Sequence, residues 1–291
     1  MRLPVSNEQP KHRPELEKTV DDLVPVDVPH ATHERPFHVP AKRNKKLAHL
    51  VEMLNKDEEV NQLWRCANVN AVDRSSITDH GPVHIRVVTN IALRLLRLLE
   101  DARIEFSVVK NYGMDNDDAE VIVVLAGALH DVGVSIHRTN HEQYSLILAA
   151  PKVRQLLQDL YEEPARTIMV SEVLHAIIAH RSDMKCLTIE AGTVKVGDAL
   201  DMAKGRTRIP FEAGKIDIHA VSAMAIDGIA LGKGKSKPIG VAVSMNNSAG
   251  IFQLDELLKP KLLNSSIAPY VEVVASIEGT SEQRILSAYM L

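Results

Sequence analysis

The stretch that decides the fold is VIVVLAGALHDVGV, residues 121–134. Its first nine residues are apolar or glycine, and the run ends abruptly at His130 and Asp131. The β-branched residues make a buried strand the rival interpretation, but helical patterns on both sides favour a helix. A helix that is apolar all round lies inside a fold. The sequence therefore predicts a central helix, 121–130, that ends in a histidine and a carboxylate.

The flanking sequence predicts an all-α core over residues 45–215. Pro82 fits the first turn of a helix whose apolar residues recur every three or four positions as far as Asp101. Asp117 and Asp118 are expected to cap the central helix. Further helices are predicted at about 45–54, 141–149, 152–161, 171–181 and 191–204, with Pro151 ending the second of these.

The two ends of the chain have a different texture. Residues 1–44 contain seven prolines, which predicts an extended arm because proline at this density prevents a long helix. In residues 216–291, the runs 226–231 and 239–245 predict a β-hairpin, LDELLKPKLL a short helix, and YVEVVASI an alternating strand. The predicted fold class is mainly α, a helical core with a small C-terminal α+β subdomain.

Composition excludes several classes of protein. The 291 residues carry a net charge of −4 and are 45% hydrophobic, which argues against disorder and against a chain-wide basic surface for nucleic acid. Two cysteines are too few for a disulfide framework. No run approaches the roughly 18 apolar residues that span a bilayer. We therefore expect a cytoplasmic protein without membrane or nucleic-acid partners.

Histidine and aspartate recur where the predicted helices are most apolar. His84, the pair His130–Asp131 and Asp198 lie on three different predicted helices, and His180 ends a fourth. A His–Asp pair alone can be an ordinary surface ion pair. Together, however, these residues supply the nitrogen and oxygen ligands of iron, manganese or a similar ion, and such sites are built inside helical bundles.

The same residues resemble the HD-domain superfamily of metal-dependent phosphohydrolases over residues 45–215. The defining pattern H…HD…D appears as GPVHIRVV with His84, LAGALHDVGV with His130 and Asp131, and VKVGDALDMAKGR with Asp198. The resemblance implies the helical fold of that superfamily, a hydrolytic activity, and His130 and Asp131 as the catalytic pair.

Two more segments are similar to those of dinuclear members of the superfamily. HEQYSLILA contains His141, and HAIIAHR ends with His180 before Arg181. The resemblance implies one ion on His84, His130, Asp131 and Asp198, and a second on Asp131, His141 and His180. Iron or manganese suits these ligands best, with zinc, nickel, cobalt or magnesium as alternatives.

Several nearby residues are candidates for substrate binding. Arg138, Arg181 and Arg206 have the planar guanidinium group that suits phosphate. His175 is five residues before His180, about 140° around a helix, so the two cannot share an ion; we expect it either to support a ligand from outside or to contact substrate. Asp201 is predicted either to orient a ligand or to contact a ribose, with a helix cap or salt bridge as the alternative.

The predicted reaction is hydrolysis of a nucleotide-like phosphomonoester or phosphodiester at two metal ions. Cyclic-dinucleotide phosphodiesterases of the superfamily usually read HDxGK and carry a GYP motif; Val134 and the absence of GYP argue against that class. The alternatives are a di-iron oxygenase of the same superfamily and a nucleotide-sensing regulatory protein. The C-terminal strands also predict a homodimer formed by edge pairing.

Overall fold

The computed structural model describes residues 24–25, 36–202, 222–277 and 288–290. The helices of its core are α1 (Lys45–Lys56), α2 (Glu58–Asn68), α3 (Pro82–Asp101), α4 (Ser107–Tyr112), α5 (Asn116–Leu129), α6 (His141–Leu156), α7 (Ala165–Ala179) and α8 (Ile189–Ala199). The strands are β1 (Val24–Pro25), β2 (Ile226–Gly232), β3 (Ile239–Met245), β4 (Val271–Ile277) and β5 (Ala288–Met290). Between β3 and β4, residues 248–263 form successive helical turns that end in α9 (Lys259–Leu263).

Helix α5 is the centre of the fold, as the apolar run predicts. Every residue from Asp118 to Leu129 is buried, and the helix packs against α3, α7 and α8. Its start differs from the prediction in one respect. Asp115, not Asp117, is the N-cap: its side chain accepts from Asp118 N at 2.9 Å, while Asp118 accepts from Asp115 N at 3.0 Å. This reciprocal capping box moves the start of the helix upstream to Asn116.

The prediction that Pro151 separates two helices is wrong. Helix α6 runs without interruption from His141 to Leu156 and contains Pro151 on an exposed face. The buried residues on either side, Ala149 and Val153, keep the chain on the core. Burial of this apolar face therefore outweighs the backbone hydrogen bond that proline cannot make.

Other helix ends also differ from the sequence pattern. Helix α8 ends at Ala199, not near residue 204, and α7 begins at Ala165, not 171. The short helices α2 and α4 were not predicted at all. The early end of α8 matters most, because Asp201 then leaves the helical face it would share with Asp198.

The C-terminal strands confirm the predicted hairpin and the following strand. β2 and β3 pair antiparallel, with Ile229 opposite Val243, and β3 and β4 pair parallel, with Val241 opposite Val273. The helical stretch 248–263 makes the crossover that a parallel pair requires. The sheet order is β1-β2-β3-β4-β5. The predicted fold class, mainly α with a small α+β subdomain, is confirmed.

The sheet and the helices share one continuous apolar core. Buried side chains of α3, α5 and α8 belong to the same cluster as those of β2, β3 and β4, and Arg94 donates to Leu231 O at 2.6 Å across the junction. Phe37, from the end of the predicted arm, is buried against Trp64. The predicted boundary at residue 215 lies outside the described residues. None of the described helices is long and apolar enough to cross a bilayer.

A pair of buried carboxyl groups lies where α7 and α8 pack together. Glu190 is fully buried and accepts from Val108 N at 3.0 Å. Within the described part of the chain, its Oε2 and that of Glu172 have no hydrogen-bond partner. Burial raises the pKa of Glu190, and burial together with the charge of Glu190 raises the pKa of Glu172.

We expect Glu190→Gln to stabilise the protein at pH 8 and to have little effect at pH 4.5. Since the folded state holds the proton of Glu190 more tightly than the unfolded chain, the free energy of unfolding falls as the pH rises from about 4.3 through the raised pKa. Glutamine has no proton to lose, so the substitution removes this loss of stability, which amounts to roughly 1 kcal/mol at pH 8. Urea unfolding at both pH values measures it, with exposed Glu162→Gln as the control. Equal effects at the two pH values would contradict this account.

Candidate metal centre

Six side chains from five helix ends and turns meet in the interior of the helical core. His84 lies in the first turn of α3, and His130 and Asp131 follow the last residue of α5. His141 is the first residue of α6, His180 caps the end of α7, and Asp198 lies in the last turn of α8. Each of these six residues is at most 9% exposed. Residues distant in sequence are thus brought together by the way the helices end.

The first group consists of His84, His130 and Asp198. Nε2 of His84 lies 3.3 Å from Nε2 of His130 and 3.4 Å from Oδ1 of Asp198. Nε2 of His130 lies 3.9 Å from the same Oδ1. These three atoms are close enough to serve one ion.

The second group consists of Asp131, His141 and His180. Nε2 of His141 lies 3.1 Å from Oδ1 of Asp131 and 3.2 Å from Nε2 of His180. Nε2 of His180 lies 3.7 Å from the same oxygen. This group also has the spacing to hold an ion.

Asp131 lies between the groups and faces both. While Oδ1 points to His141 and His180, its other oxygen, Oδ2, lies 3.2 Å from Nε2 of His84 and 3.5 Å from Nε2 of His130. One carboxylate therefore offers a separate oxygen to each group.

Hydrogen bonds on the outer side of the rings decide which nitrogen faces inward. Nδ1 of His84 lies 2.6 Å from Oδ2 of Asp201, and Nδ1 of His130 lies 2.9 Å from Gly127 O. Nδ1 of His180 lies 2.6 Å from Ile177 O. Because carboxylate and carbonyl oxygens only accept, each of these Nδ1 atoms carries the proton and each Nε2 presents a lone pair.

The lone pairs form an arrangement that a cation would stabilise. Nε2 of His84, Nε2 of His130, Oδ1 of Asp198 and Oδ2 of Asp131 are all acceptors, yet the last three lie only 3.2–3.4 Å from Nε2 of His84. Acceptors placed this close repel unless a positive charge lies among them. Nitrogen and oxygen donors in this ratio fit a divalent transition metal better than magnesium or calcium.

The ionisation states agree with this arrangement. Burial lowers the pKa of His130 and holds that of His180 well below its usual range, so both rings are neutral. Burial alone would raise the pKa values of the two aspartates. The charge of His130 in its protonated form lowers the pKa of Asp131, and the charge of Lys261 lowers that of Asp198, so that both lie well below the ordinary value. Neutral imidazoles and ionised carboxylates are the forms that bind metal.

The turn after α5 is packed tightly onto α6, which brings His141 to Asp131. Gly133 N donates to Ser145 Oγ at 2.8 Å, and Ser145 Oγ donates to His130 O at 2.6 Å. A Cβ atom on Gly133 would lie 2.0 Å from His141 O. Only glycine allows this approach of the two backbones, so Gly133 sets the distance between the two groups.

Two of the predicted substrate-binding arginines line a pocket beside the second group. The pocket has a volume of about 500 Å³, and Arg138, Asn140, His141 and Arg181 contribute to its wall. Nη1 of Arg138 lies 2.7 Å from Nδ1 of His141. Arg181 is paired through Nε with Asp183 at 2.6 Å, and both residues line the pocket.

The other predicted substrate contacts have different outcomes. Asp201 orients His84, the first of the alternatives that the sequence left open. His175 belongs to neither group: its Nε2 accepts from Leu187 N at 3.1 Å, which ties α7 to the loop before α8. The substrate contact expected for His175 therefore has no support from its position. Arg206 lies outside the described residues.

Two residues that lie near the site were not predicted to belong to it. His80, in the loop before α3, is buried, with its Nε2 4.0 Å from Oδ2 of Asp131 and its Nδ1 2.6 Å from Thr78 O. Lys261, in α9, pairs with Oδ2 of Asp198. The spacing of four between His80 and His84 was a usable signal for the first, whereas nothing in the sequence connects Lys261 to α8.

Histidines and aspartates grouped at two adjacent positions inside a helical core are typical of a class of metal-dependent proteins. Comparison with known families places this chain in the same class. The HD domain family model matches residues 83–203, which include all six side chains. The uncharacterized protein MJ1020 of Methanocaldococcus jannaschii is 41% identical over 229 residues, covering 79% of this chain and 88% of that protein. No solved structure gives a significant match. The chain belongs to the HD-domain family, a superfamily of metal-dependent phosphohydrolase type.

We expect the protein to bind Mn²⁺ and Asp131→Asn to weaken binding at least tenfold in both groups. Loss of a side chain that only bonds to a ligand already lowers metal affinity about 10- to 100-fold. Because Asp131 itself faces both groups, we expect its loss to have at least the smaller of these effects. His180→Gln should weaken only one of two binding events. Isothermal titration calorimetry separates these cases, with exposed Asp73→Asn as the matched control. Unaltered affinity in Asp131→Asn would refute the shared carboxylate.

Proposed function

We propose that the protein is a phosphohydrolase with two metal ions that acts on a nucleotide-like phosphomonoester or phosphodiester. One ion is held by His84, His130, Asp198 and Oδ2 of Asp131 and the other by Oδ1 of Asp131, His141 and His180. The observation that carries the proposal is the two-sided position of Asp131, since each of its oxygens meets a different pair of imidazole nitrogens.

The proposed ions supply a water of lowered pKa and fix the phosphoryl oxygens for in-line attack. The residues of the chain do the rest. Asp131 sets the separation of the two positions, while Asp201 and the carbonyls of Gly127 and Ile177 keep the three rings turned with Nε2 inward. Such fixed orientation lowers the reorganisation needed when charge develops in the transition state.

The pocket lined by Arg138 and Arg181 supports an anionic substrate. It opens next to His141, so a phosphate group bound there would reach the second metal position. Arg138 already lies against the ring of His141, and the guanidinium group has further donors that suit the oxygens of a phosphate. The substrate is therefore expected to approach from this side, with its leaving group in the open part of the pocket.

The reaction class can be tested directly. We expect phosphate release from a panel of nucleotides and phosphodiesters when Mn²⁺ or Fe²⁺ is supplied, and loss of that release in Asp131→Ala. Exposed Asp73→Ala should retain it. Oxygen consumption measured on the same samples distinguishes a di-iron oxygenase. Metal binding without phosphate release, together with oxygen uptake, would replace the hydrolase with that alternative.

The role of Arg138 predicts a specific kinetic change. We expect Arg138→Met to raise KM for a phosphate ester about 10- to 100-fold, since a hydrogen bond to a charged group contributes about 1.5–3 kcal/mol. Arg154, an exposed arginine that pairs with Glu163, provides the control Arg154→Met. A change in kcat alone, with KM unaltered, would show that Arg138 does not bind the ground-state substrate.

A further inference from the structure

Among the described residues of the C-terminal part of the chain, Lys261 contacts the metal centre. Lys261 lies in α9, and its Nζ donates to Oδ2 of Asp198. The lysine side chain is 20% exposed and the carboxylate 10% exposed, so the pair is largely removed from water. Asp198 is a proposed ligand, whereas Lys261 lies well beyond the end of the HD domain match at residue 203.

The position of Lys261 divides the two oxygens of Asp198. Oδ1 faces Nε2 of His84 at 3.4 Å and Nε2 of His130 at 3.9 Å. Oδ2 is taken up by the ammonium group of Lys261. The carboxylate therefore presents Oδ1 to the proposed ion, while the hydrogen bond from Lys261 to Oδ2 fixes its orientation.

The same relation recurs around the first group. His84 is held from behind by Asp201, and His130 by the carbonyl of Gly127. In each case the partner forms a hydrogen bond with the atom of the side chain that faces away from the centre. This hydrogen bond fixes the orientation of the atom that faces the centre. Lys261 has this position for the third member of the group.

Hydrogen bonds hold the residues after α9 against the loop between α7 and α8, the helices that carry His180 and Asp198. Asn264 O accepts from Cys186 N at 2.9 Å, and the Asn264 side chain donates to Ser182 O at 2.9 Å. The hydroxyl of Ser266 donates to Thr188 O, at the cap of α8. These contacts attach the residues after α9 to the loop between α7 and α8, so Lys261 is carried by a firmly docked segment.

We propose that Lys261 is a positioning residue of the metal centre, acting through Asp198 and supplied by the C-terminal unit. It restricts Asp198 to coordination through Oδ1 alone. The inference rests on the proposed metal binding. Without the ammonium group, Oδ2 would be released and the carboxylate could turn or bind the ion with both oxygens, which changes the number of donors around it.

A competing effect of Lys261 has the opposite sign, which makes the test decisive. A positive charge beside a cation site repels the cation, so a purely electrostatic role predicts tighter metal binding once the charge is removed. Positioning predicts weaker binding and an altered coordination. Lys261→Met removes both charge and donor, whereas Lys261→Gln removes the charge but keeps a donor.

The experiment is a titration of the full-length protein with Co²⁺, followed by visible absorption and by calorimetry. We expect Lys261→Met to weaken binding at one position roughly tenfold and to change the absorption intensity of bound Co²⁺. Lys261→Arg should restore the wild-type spectrum, and Lys261→Gln should do so in part. Lys259→Met is the matched control, because this lysine of the same helix is exposed and pairs with Asp255. Thermal unfolding monitored by circular dichroism verifies that each variant is folded.

The outcomes separate this inference from the proposed function. If the wild type binds no Co²⁺, the proposed metal centre fails and the role of Lys261 fails with it. If the wild type binds Co²⁺ but Lys261→Met has the same spectrum and affinity, only the positioning role is overturned. Tighter binding in both Lys261→Met and Lys261→Gln with an unchanged spectrum overturns it equally, since charge repulsion alone then describes Lys261.

Discussion

The carboxylate of Asp131 is shared by two pairs of imidazole nitrogens, and the rest of the site depends on that sharing. Beside Oδ2, acceptor atoms of His84, His130 and Asp198 converge, and beside Oδ1 the ring nitrogens of His141 and His180 do so. Such an arrangement is costly in a dry interior unless a cation balances it. The burial of the site and the outward hydrogen bonds of its rings agree with a cation site inside an apolar bundle.

The helical core brings these acceptors together because several of its helices begin or end at the same place. α5 stops just before His130, α6 starts at His141, and α8 ends one residue after Asp198. Helix ends have unsatisfied backbone groups, and the carbonyls of Gly127 and Ile177 are used here to orient histidine rings. The apolar packing of α5 on its neighbours thus fixes ligand positions that no single helix could provide.

The C-terminal sheet belongs to this arrangement as well. Its buried strands share the apolar core of the helices, and its crossover segment carries Lys261 to Asp198. A reading of the chain as a catalytic domain with an appended subdomain describes the sequence pattern well. In the folded protein, however, the two parts meet at a proposed ligand, so the stability of one is coupled to the geometry of the other.

The sequence by itself determined the helical class, the central position of α5 and the six histidines and aspartates, because apolar periodicity and motif spacing are local properties. It did not reveal that Pro151 lies inside a helix, that α8 ends early enough for Asp201 to contact His84, or that His175 accepts from Leu187 N. Nor did it connect Lys261 to Asp198. These features were decided only by the tertiary structure, since each depends on which faces are buried together and on contacts between residues far apart in the chain.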